Sequence, residues 1–467
     1  MPEQMPALNT LSVEALFDQG NQAMAEGDNA LAEACFRTAL QLAPDTAEIH
    51  ANLAFLLDAS GDVAQAEACY QRAIACNPDI AQIHLNLGSL LTVQKRLMEA
   101  EAAFTRAITL EPDVAGGWSN LGGLYSGMQR NAEAELCCRQ ALLRDPQHAK
   151  ARFNLACVLL RQGRLEEGWV CLEARDWYAP LQAHLDIPRW QGEPLTGKSI
   201  LIGLEAGQGD MIQFARYAAL LKSRGAARVT LLCHASLKTL FTSLQGVDEV
   251  LAFDEAIPRT GWDCWTPAIS IPLHCATRID AIPASLPYLH AAPELMAQWR
   301  ARLPAQGLRV GLVWKGNPRF ENDFDRSLQG LHMLAPLTQV EGVSFISLQK
   351  GQGEEEALCP PTGFDVLPLG SQLADFADTA AVVAQLDLVI SVDTAVAHLA
   401  GALNKPVWLL LPYYKTDWRW LQDRTDSLWY PGCMRLFRQS ASENWAPVVE
   451  EVRVALQATL NRPLRSG

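Results

Sequence analysis

The chain has 467 residues, 49% of them hydrophobic, enough for a substantial core and for about three domains. Its 38 Lys and Arg stand against 52 Asp and Glu, a formal charge of −14 that argues against sequence-independent binding to nucleic acid. The first residues, MPEQMPALNT, lack a basic region and an apolar run, and no stretch approaches the ~20 uninterrupted apolar residues of a membrane span. No signal peptide and no membrane span are therefore expected, and the expected location is cytoplasmic.

From about Val13 the chain repeats every 34 residues. Pro44, Pro78, Pro112 and Pro146 share one position, and Ala39, Ala73, Ala107 and Ala141 another. Phe36, Tyr70 and Phe104 hold a large position, and Leu53, Leu87, Leu121 and Leu155 each precede a Gly or Ala. This is the tetratricopeptide pattern: paired helices that approach through small residues and end at a proline. About five repeats occupy residues 13–178. The fifth is degenerate, with Gly168 and Arg175 at positions that are otherwise Ala, as in a terminal repeat docking onto something else. Cys35, Cys69, Cys137 and Cys171 also share a repeat position, at which the third repeat has Ala103. A site that takes Cys or Ala is small and buried, so neither disulfides nor zinc are expected.

Asn52, Asn86, Asn120 and Asn154 form a ladder on the first helices of the repeats. An amide both donates and accepts, so such a ladder can pair with an extended backbone. It resembles the asparagine ladder of the O-GlcNAc transferase superhelix, which implies a groove for a polypeptide. The alternative is that Asn is simply common at this position of such repeats.

Residues 179–195 contain scattered prolines and read as a linker. GEPLTGKS, Gly192 to Ser199, matches a P-loop literally, but the strand follows it instead of preceding it, so an ATPase is not expected. Residues 196–300 then read as a first Rossmann-like half. The strand SILIGL leads to Gly207 and Gly209, which permit a tight turn, and to Asp210 at a helix start. The second residue after Asp210 is Ile212, so the run fails as a dinucleotide-binding G-x-G-x-x-G.

Residues 305–467 read as a second Rossmann-like half. RVGLVW is a strand, with Lys315, Asn317 and, further on, Arg326 beyond its carboxyl end. VSFISLQKG is another, with Gln349 and Lys350 at its end. Basic and amide groups in these places suit a diphosphate. Asp323-Phe-Asp325 is a literal DxD, read as charge partners of the neighbouring arginines and not as a metal site. The apolar run from Leu386 to Val392 then meets Asp393 and Thr394, good helix caps, and the helix AVAHLAGAL ends before Pro406. An anion can sit at such a helix start, with Thr394 and His398 four residues apart on one face. In the two-Rossmann folds that this half resembles, the final helix, here about Trp445 to Leu460, packs back on the first half.

The motif DTAVAHLAGAL with its following KP resembles the donor-site signature of the heptosyltransferase-like glycosyltransferases (family 9, GT-B fold), with Ala395 where that pattern usually has Gly. The Gly-Asp turn is similar to the turn that carries the catalytic carboxylate in the same enzymes, and the match falls on Asp210. The strings DWRW and WYP…RLFRQ are similar to a bacterial group that joins tetratricopeptide repeats to this domain, some members of which modify flagellin. The resemblance implies a repeat solenoid followed by two Rossmann-like halves. It also implies an inverting, metal-independent glycosyltransferase whose nucleotide sugar is a substrate, with no resident cofactor. The donor would lie on Lys315, Asn317, Arg326, Gln349, Asp393, Thr394 and His398, and the repeats would hold a protein acceptor, flagellin or another surface protein. Two alternatives stand beside it: an interaction scaffold whose transferase domain has lost its chemistry, and a heptosyltransferase of lipopolysaccharide synthesis.

Overall fold

The computed structural model describes residues 8, 11–440 and 444–461. The chain divides into two compact units, one comprising residues up to 126 with 130–155, the other 127–129 with 156 onward. The division falls inside the fifth repeat.

The first unit is a helical solenoid. Its helix pairs are Val13–Glu26 with Asn29–Leu42, Ala47–Ser60 with Val63–Cys76, and Ala81–Val93 with Leu97–Leu110. Ala115–Gly127 and Asn131–Arg144 form the fourth pair. The 34-residue period has a steric cause. A Cβ at Gly20 or Gly88 would lie 2.6 Å from the ring of Phe36 or Phe104, and one at Gly122 would lie 2.8 Å from the sulfur of Cys138. The small position of these first helices therefore receives the facing side chain of the second, a ring in two repeats and Cys138 in the fourth. The proline that ends each repeat leaves a carbonyl unpaired, and the next first helix supplies a donor six residues on. His50 bonds to the Pro44 carbonyl, His84 to that of Pro78, and Trp118 to that of Pro112, at 2.7, 2.8 and 2.9 Å. The turn inside each pair needs a left-handed residue, supplied by Gly27 and Gly61 at φ 82° and 86°, and by Lys95 at φ 63°.

The second unit holds two parallel sheets. The first consists of β1 (Ser199–Gly203), β2 (Arg228–Cys233), β3 (Glu249–Ala252) and β4 (Cys264–Pro267) in the order β3-β2-β1-β4. The second has β5 (Leu308–Val313), β6 (Val343–Ser347), β7 (Val366–Pro368), β8 (Leu388–Val392), β9 (Val407–Leu411) and β10 (Met434–Arg438). Its order, β10-β9-β8-β5-β6-β7, is that of a doubly wound dinucleotide-type sheet. Every residue of β8 is buried, as a parallel strand covered on both faces requires. The order reverses between β1 and β4 and between β5 and β8, and ligands of such sheets bind outside the carboxyl ends at those points.

Three expectations are met or corrected here. Lys198 is exposed at the entry to β1, and the glycine run before it precedes a strand. The linker is not loose: Ala179–His184 is a short helix, and Leu185 joins a core with Leu201, Leu232, Trp262 and Trp265. The last helix, Ala446–Leu460, does not pack back on the first half. Its Val448, Val449, Val452 and Leu456 lie in one core with Val310, Leu312 and Phe437 of the second sheet. That apolar face is buried in the core of the second sheet. No helix among the described residues is long and apolar enough to cross a membrane.

Candidate functional site

The site builds up from two turns, one at each switch point, that meet face to face. Beyond β1, Gly207 opens the helix Gln208–Ala215. Asp210 Oδ2 accepts the Gly207 backbone N–H at 2.9 Å, so the carboxylate satisfies a donor that the helix start leaves free. Its Oδ1 accepts from Arg419 Nη2 at 2.5 Å. Arg419 is 9% exposed at its side chain and also pairs with Asp417 at 2.9 Å. Its Nε has no partner among the described residues. Asp210 therefore both caps its helix and bridges to the other half, while its side chain stays 21% exposed.

Beyond β8, Thr394 takes the N-cap position of the helix Ala395–Ala402, but no side chain caps that helix. The Thr394 hydroxyl pairs instead with Ser391 Oγ at 3.0 Å, and Asp393 Oδ2 accepts from Trp420 Nε1 at 2.8 Å. An uncapped helix start keeps its N–H groups and dipole for an anion. Burial, with Asp417 nearby, pushes the Asp393 carboxyl up to about 6, against the pull of Arg419.

The two turns touch at Gly209. A Cβ there would lie 2.9 Å from His398 Cδ2 and 3.4 Å from Ala395 Cα. Only glycine lets the Gln208–Ala215 helix close on the Ala395–Ala402 helix. His398 is 3% exposed, bonds to the Tyr430 hydroxyl through Nδ1 at 2.8 Å, and faces the Trp420 ring at 5.3 Å between centroids. Burial first, then the charges of Arg419 and Arg216, hold its imidazole well below the usual range, hence neutral. Arg216 extends the same contact: Nη1 donates to the Trp429 carbonyl at 2.6 Å and Nη2 to the Tyr288 hydroxyl at 3.1 Å.

The basic residues divide between two places. Arg326 Nη1 donates to the Asp393 carbonyl at 3.0 Å and Nε to Asp323 Oδ1 at 3.1 Å, so Arg326 stands at the Thr394 turn. Asp323 is thereby a charge partner of Arg326. A Cβ at Gly316 would collide with both Asp323 and Arg326. Lys315 pairs with Glu356 at 2.5 Å and lines a neighbouring cavity of about 330 Å³ with Asp325, Tyr414, Gln439 and Trp445. Lys315, Arg326, Thr394 and His398, expected to converge on one open site, are not brought together there: Arg326 stands at the Thr394 turn. Lys315 opens on the adjacent cavity, and His398 is sealed by Gly209, Trp420 and Tyr430. Asn317 is exposed, its Oδ1 accepting the Arg319 N–H at 3.1 Å. Gln349 is consumed locally: Oε1 accepts from the Trp314 and Lys315 N–H groups at 3.0 Å, and Nε2 donates to the Lys315 and Gln352 carbonyls at 3.1 and 2.8 Å. It ties the loop after β5 to the end of β6 and has no hand free for a ligand.

A second cavity, about 480 Å³, opens at the carboxyl ends of the first sheet, lined by Trp177, Leu204, Ala206, Leu232 and Phe253 among others. Trp177 and Phe253 are half exposed. In the repeats, the four ladder asparagines are partly buried and engaged with neighbours. Asn52 donates to Asn21 Oδ1 at 2.7 Å and Asn154 to the Ser119 carbonyl at 3.3 Å; Asn86 accepts from Gln82 and Asn120 from Lys150.

Arg419, Trp420, Tyr430 and Gln439 did not emerge from the sequence as site residues. All lie in the loops after β9 and β10, where no periodicity places a side chain. The density of Trp and Arg in DWRW was the available signal.

Comparison with known proteins agrees with both parts of the chain. Tetratricopeptide repeat profiles match residues 17–58, 52–115, 115–148 and 137–169, and Glycosyltransferase family 9 (heptosyltransferase) matches residues 356–416. Protein FlbA of Caulobacter vibrioides (strain ATCC 19089 / CIP 103742 / CB 15) is 30% identical over 331 residues, which is 66% of this chain. The chain spans 54% of that relative's length. The crystal structure of MamA is 18% identical with a TM-score of 0.33, covering 38% of this chain and 97% of MamA. PilF of Pseudomonas aeruginosa is 22% identical with a TM-score of 0.34, covering 45% of this chain and 85% of PilF.

Proposed function

From a chain that carries tetratricopeptide repeats and a glycosyltransferase family 9 region, we propose an inverting, metal-independent glycosyltransferase. It moves a sugar from a nucleotide-activated donor to a protein, flagellin or another surface protein, engaged by the repeats in the cytoplasm. The observation that carries this reading is the meeting of the Gly207–Asp210 turn with the Thr394 turn through Asp210, Arg419, Gly209 and His398.

The donor diphosphate lies against the uncapped start of the Ala395–Ala402 helix and Arg326. The acceptor approaches from the first sheet, where Trp177 and Phe253 flank the larger cavity. Asp210 takes the proton of the acceptor hydroxyl as that oxygen bonds to the anomeric carbon from the face opposite the diphosphate. The carbon–oxygen bond to the diphosphate breaks, and the leaving group keeps the electron pair. The helix dipole, Arg326 and Arg419 stabilise the departing charge. A positioned base contributes roughly 10²–10⁴ in rate. Asp210→Asn keeps the size but cannot take the proton, so transfer should fall by about that factor while donor binding persists. Wild-type transfer in this variant would leave Asp210 a structural residue, the cap of its helix and the partner of Arg419.

One set of observations favours a second reading, the interaction scaffold. His398 is sealed, and both Asp210 oxygens are already engaged. Failure of the purified chain to release nucleoside diphosphate from any nucleotide sugar, with binding to a protein partner retained, would favour the scaffold.

A further inference from the structure

We propose that His234 is a positioning residue for the transfer base: its ring holds the Ala206–Gly207 peptide, and that peptide holds Asp210. This rests on the glycosyltransferase reading, with Asp210 as the base, and adds the loop after β2 to that site.

One peptide plane joins the two side chains. His234 Nε2 bonds to the Ala206 carbonyl at 3.1 Å, and the Gly207 N–H of the same peptide donates to Asp210 Oδ2 at 2.9 Å. In a trans peptide the carbonyl and the N–H point to opposite sides, so ring and carboxylate grip the two edges of one rigid plate. A carbonyl can only accept, so Nε2 carries the proton of the neutral ring. Burial lowers the pKa of His234 against the upward pull of the Ala206 carbonyl and the Asp210 carboxylate, so the ring is neutral at pH 7. The dipoles run one way, from Nε2–H through the peptide to the carboxylate, and bonds in such a chain polarise one another.

The plate needs a hold. Ala206 has φ 58°, a left-handed conformation that a residue with a Cβ adopts only when its surroundings impose it. The loop after β2 imposes it at two points. Besides the His234 bond, Ser236 Oγ accepts from Gln208 Nε2 at 2.8 Å. That loop is itself anchored: Leu237, Leu240 and Phe241 are buried, and the His234 ring meets Phe253 edge-on with centroids 5.9 Å apart. The clamp thus fixes Oδ2 of Asp210 from the first half, while Arg419 takes Oδ1 from the second. Each carboxylate oxygen keeps a second lone pair, so Asp210 held in this way can still accept from an acceptor hydroxyl. Ala206 and Phe253 both line the larger cavity, which puts the clamp beside the acceptor's approach.

The test measures nucleoside diphosphate release by the full chain from UDP-N-acetylglucosamine, GDP-mannose, dTDP-rhamnose and ADP-heptose, in wild type, Asp210→Asn, His234→Phe and His234→Gln. His234→Phe keeps a ring against Phe253 but cannot donate to Ala206. Its release should fall by roughly 10–10²-fold, the cost of a base displaced by up to ~1 Å, with the calorimetric Kd of the matching nucleoside diphosphate unchanged. His234→Gln places an amide NH₂ near the position of Nε2 and should restore most of the rate. Full release by His234→Phe, or an equal loss in His234→Gln, overturns this inference, and a slow Asp210→Asn then leaves the base reading standing. Wild-type release by Asp210→Asn, or no release by wild type from any of the four, overturns both. Should the His234 variants not fold, the Gly207 amide resonance of the wild-type chain must move as His234 takes up its proton. A Gly207 resonance indifferent to that titration overturns the assignment.

Discussion

Gly209→Ala isolates the contact on which the site depends. The added Cβ would stand 2.9 Å from His398 Cδ2, and ordinary carbon contacts are ~3.5–4.0 Å, so something must yield by roughly 0.6–1 Å. The His398 ring is held by the Tyr430 hydroxyl and the Trp420 face, so the helices must part instead. Overpacking of this kind costs about 1–3 kcal/mol. Alanine returns up to ~1 kcal/mol of helix propensity over glycine. The net expectation is a loss of about 1–2 kcal/mol, read as a drop of a few degrees in Tm by scanning fluorimetry. Turnover suffers more, because a misplacement of ~1 Å between reacting groups can cost 10²-fold. Nucleoside diphosphate release from a nucleotide sugar measures it. A variant that melts higher than wild type with full turnover would show that propensity won and that the close approach at Gly209 serves nothing.

Four further outcomes are expected. Arg175 and Glu205 pair at 2.6 Å with both side chains fully buried, so Arg175→Met should cost about 3–5 kcal/mol in urea unfolding, and adding Glu205→Leu should recover most of it. A chain begun near Pro188 lacks Arg175 and should be similarly destabilised. His398 is held neutral in the fold, so below pH 6.5 the unfolded chain binds a proton that the native one does not. Its contribution is therefore present above that pH and lost as pH falls, and His398→Gln should flatten this part of a stability–pH profile. Replacing Asn86, Asn120 and Asn154 together with Ala should weaken acceptor binding and leave nucleotide affinity unchanged; equal loss of both would remove the groove from acceptor recognition.

The repeats were legible because each is a copy of the same packing problem: Gly20, Gly88 and Gly122 fit against Phe36, Phe104 and Cys138 at a constant spacing. Arg175 was legible as an anomaly, and the structure supplies its cause, since an Ala there could not reach Glu205. Strands β1, β5, β8 and β9 were visible as apolar runs because parallel strands are buried on both faces. The contacts between the two turns were not visible. Gln349 looked like a ligand group at a strand end, yet its amide is spent on local backbone. The last helix has an apolar face whose partner no pattern names. The spacing puts His398 one turn after Thr394, but its burial depends on Gly209, Trp420 and Tyr430, residues remote in sequence.

Turnover by the full chain tests the glycosyltransferase assignment most directly. Purified protein is incubated with a panel of nucleotide sugars, and released nucleoside diphosphate is quantified by mass spectrometry for wild type and Asp210→Asn side by side. Release by wild type with at least one donor, slowed by roughly 10²–10⁴ in Asp210→Asn, is the predicted result. No release from any donor, or equal release by the two proteins, contradicts it.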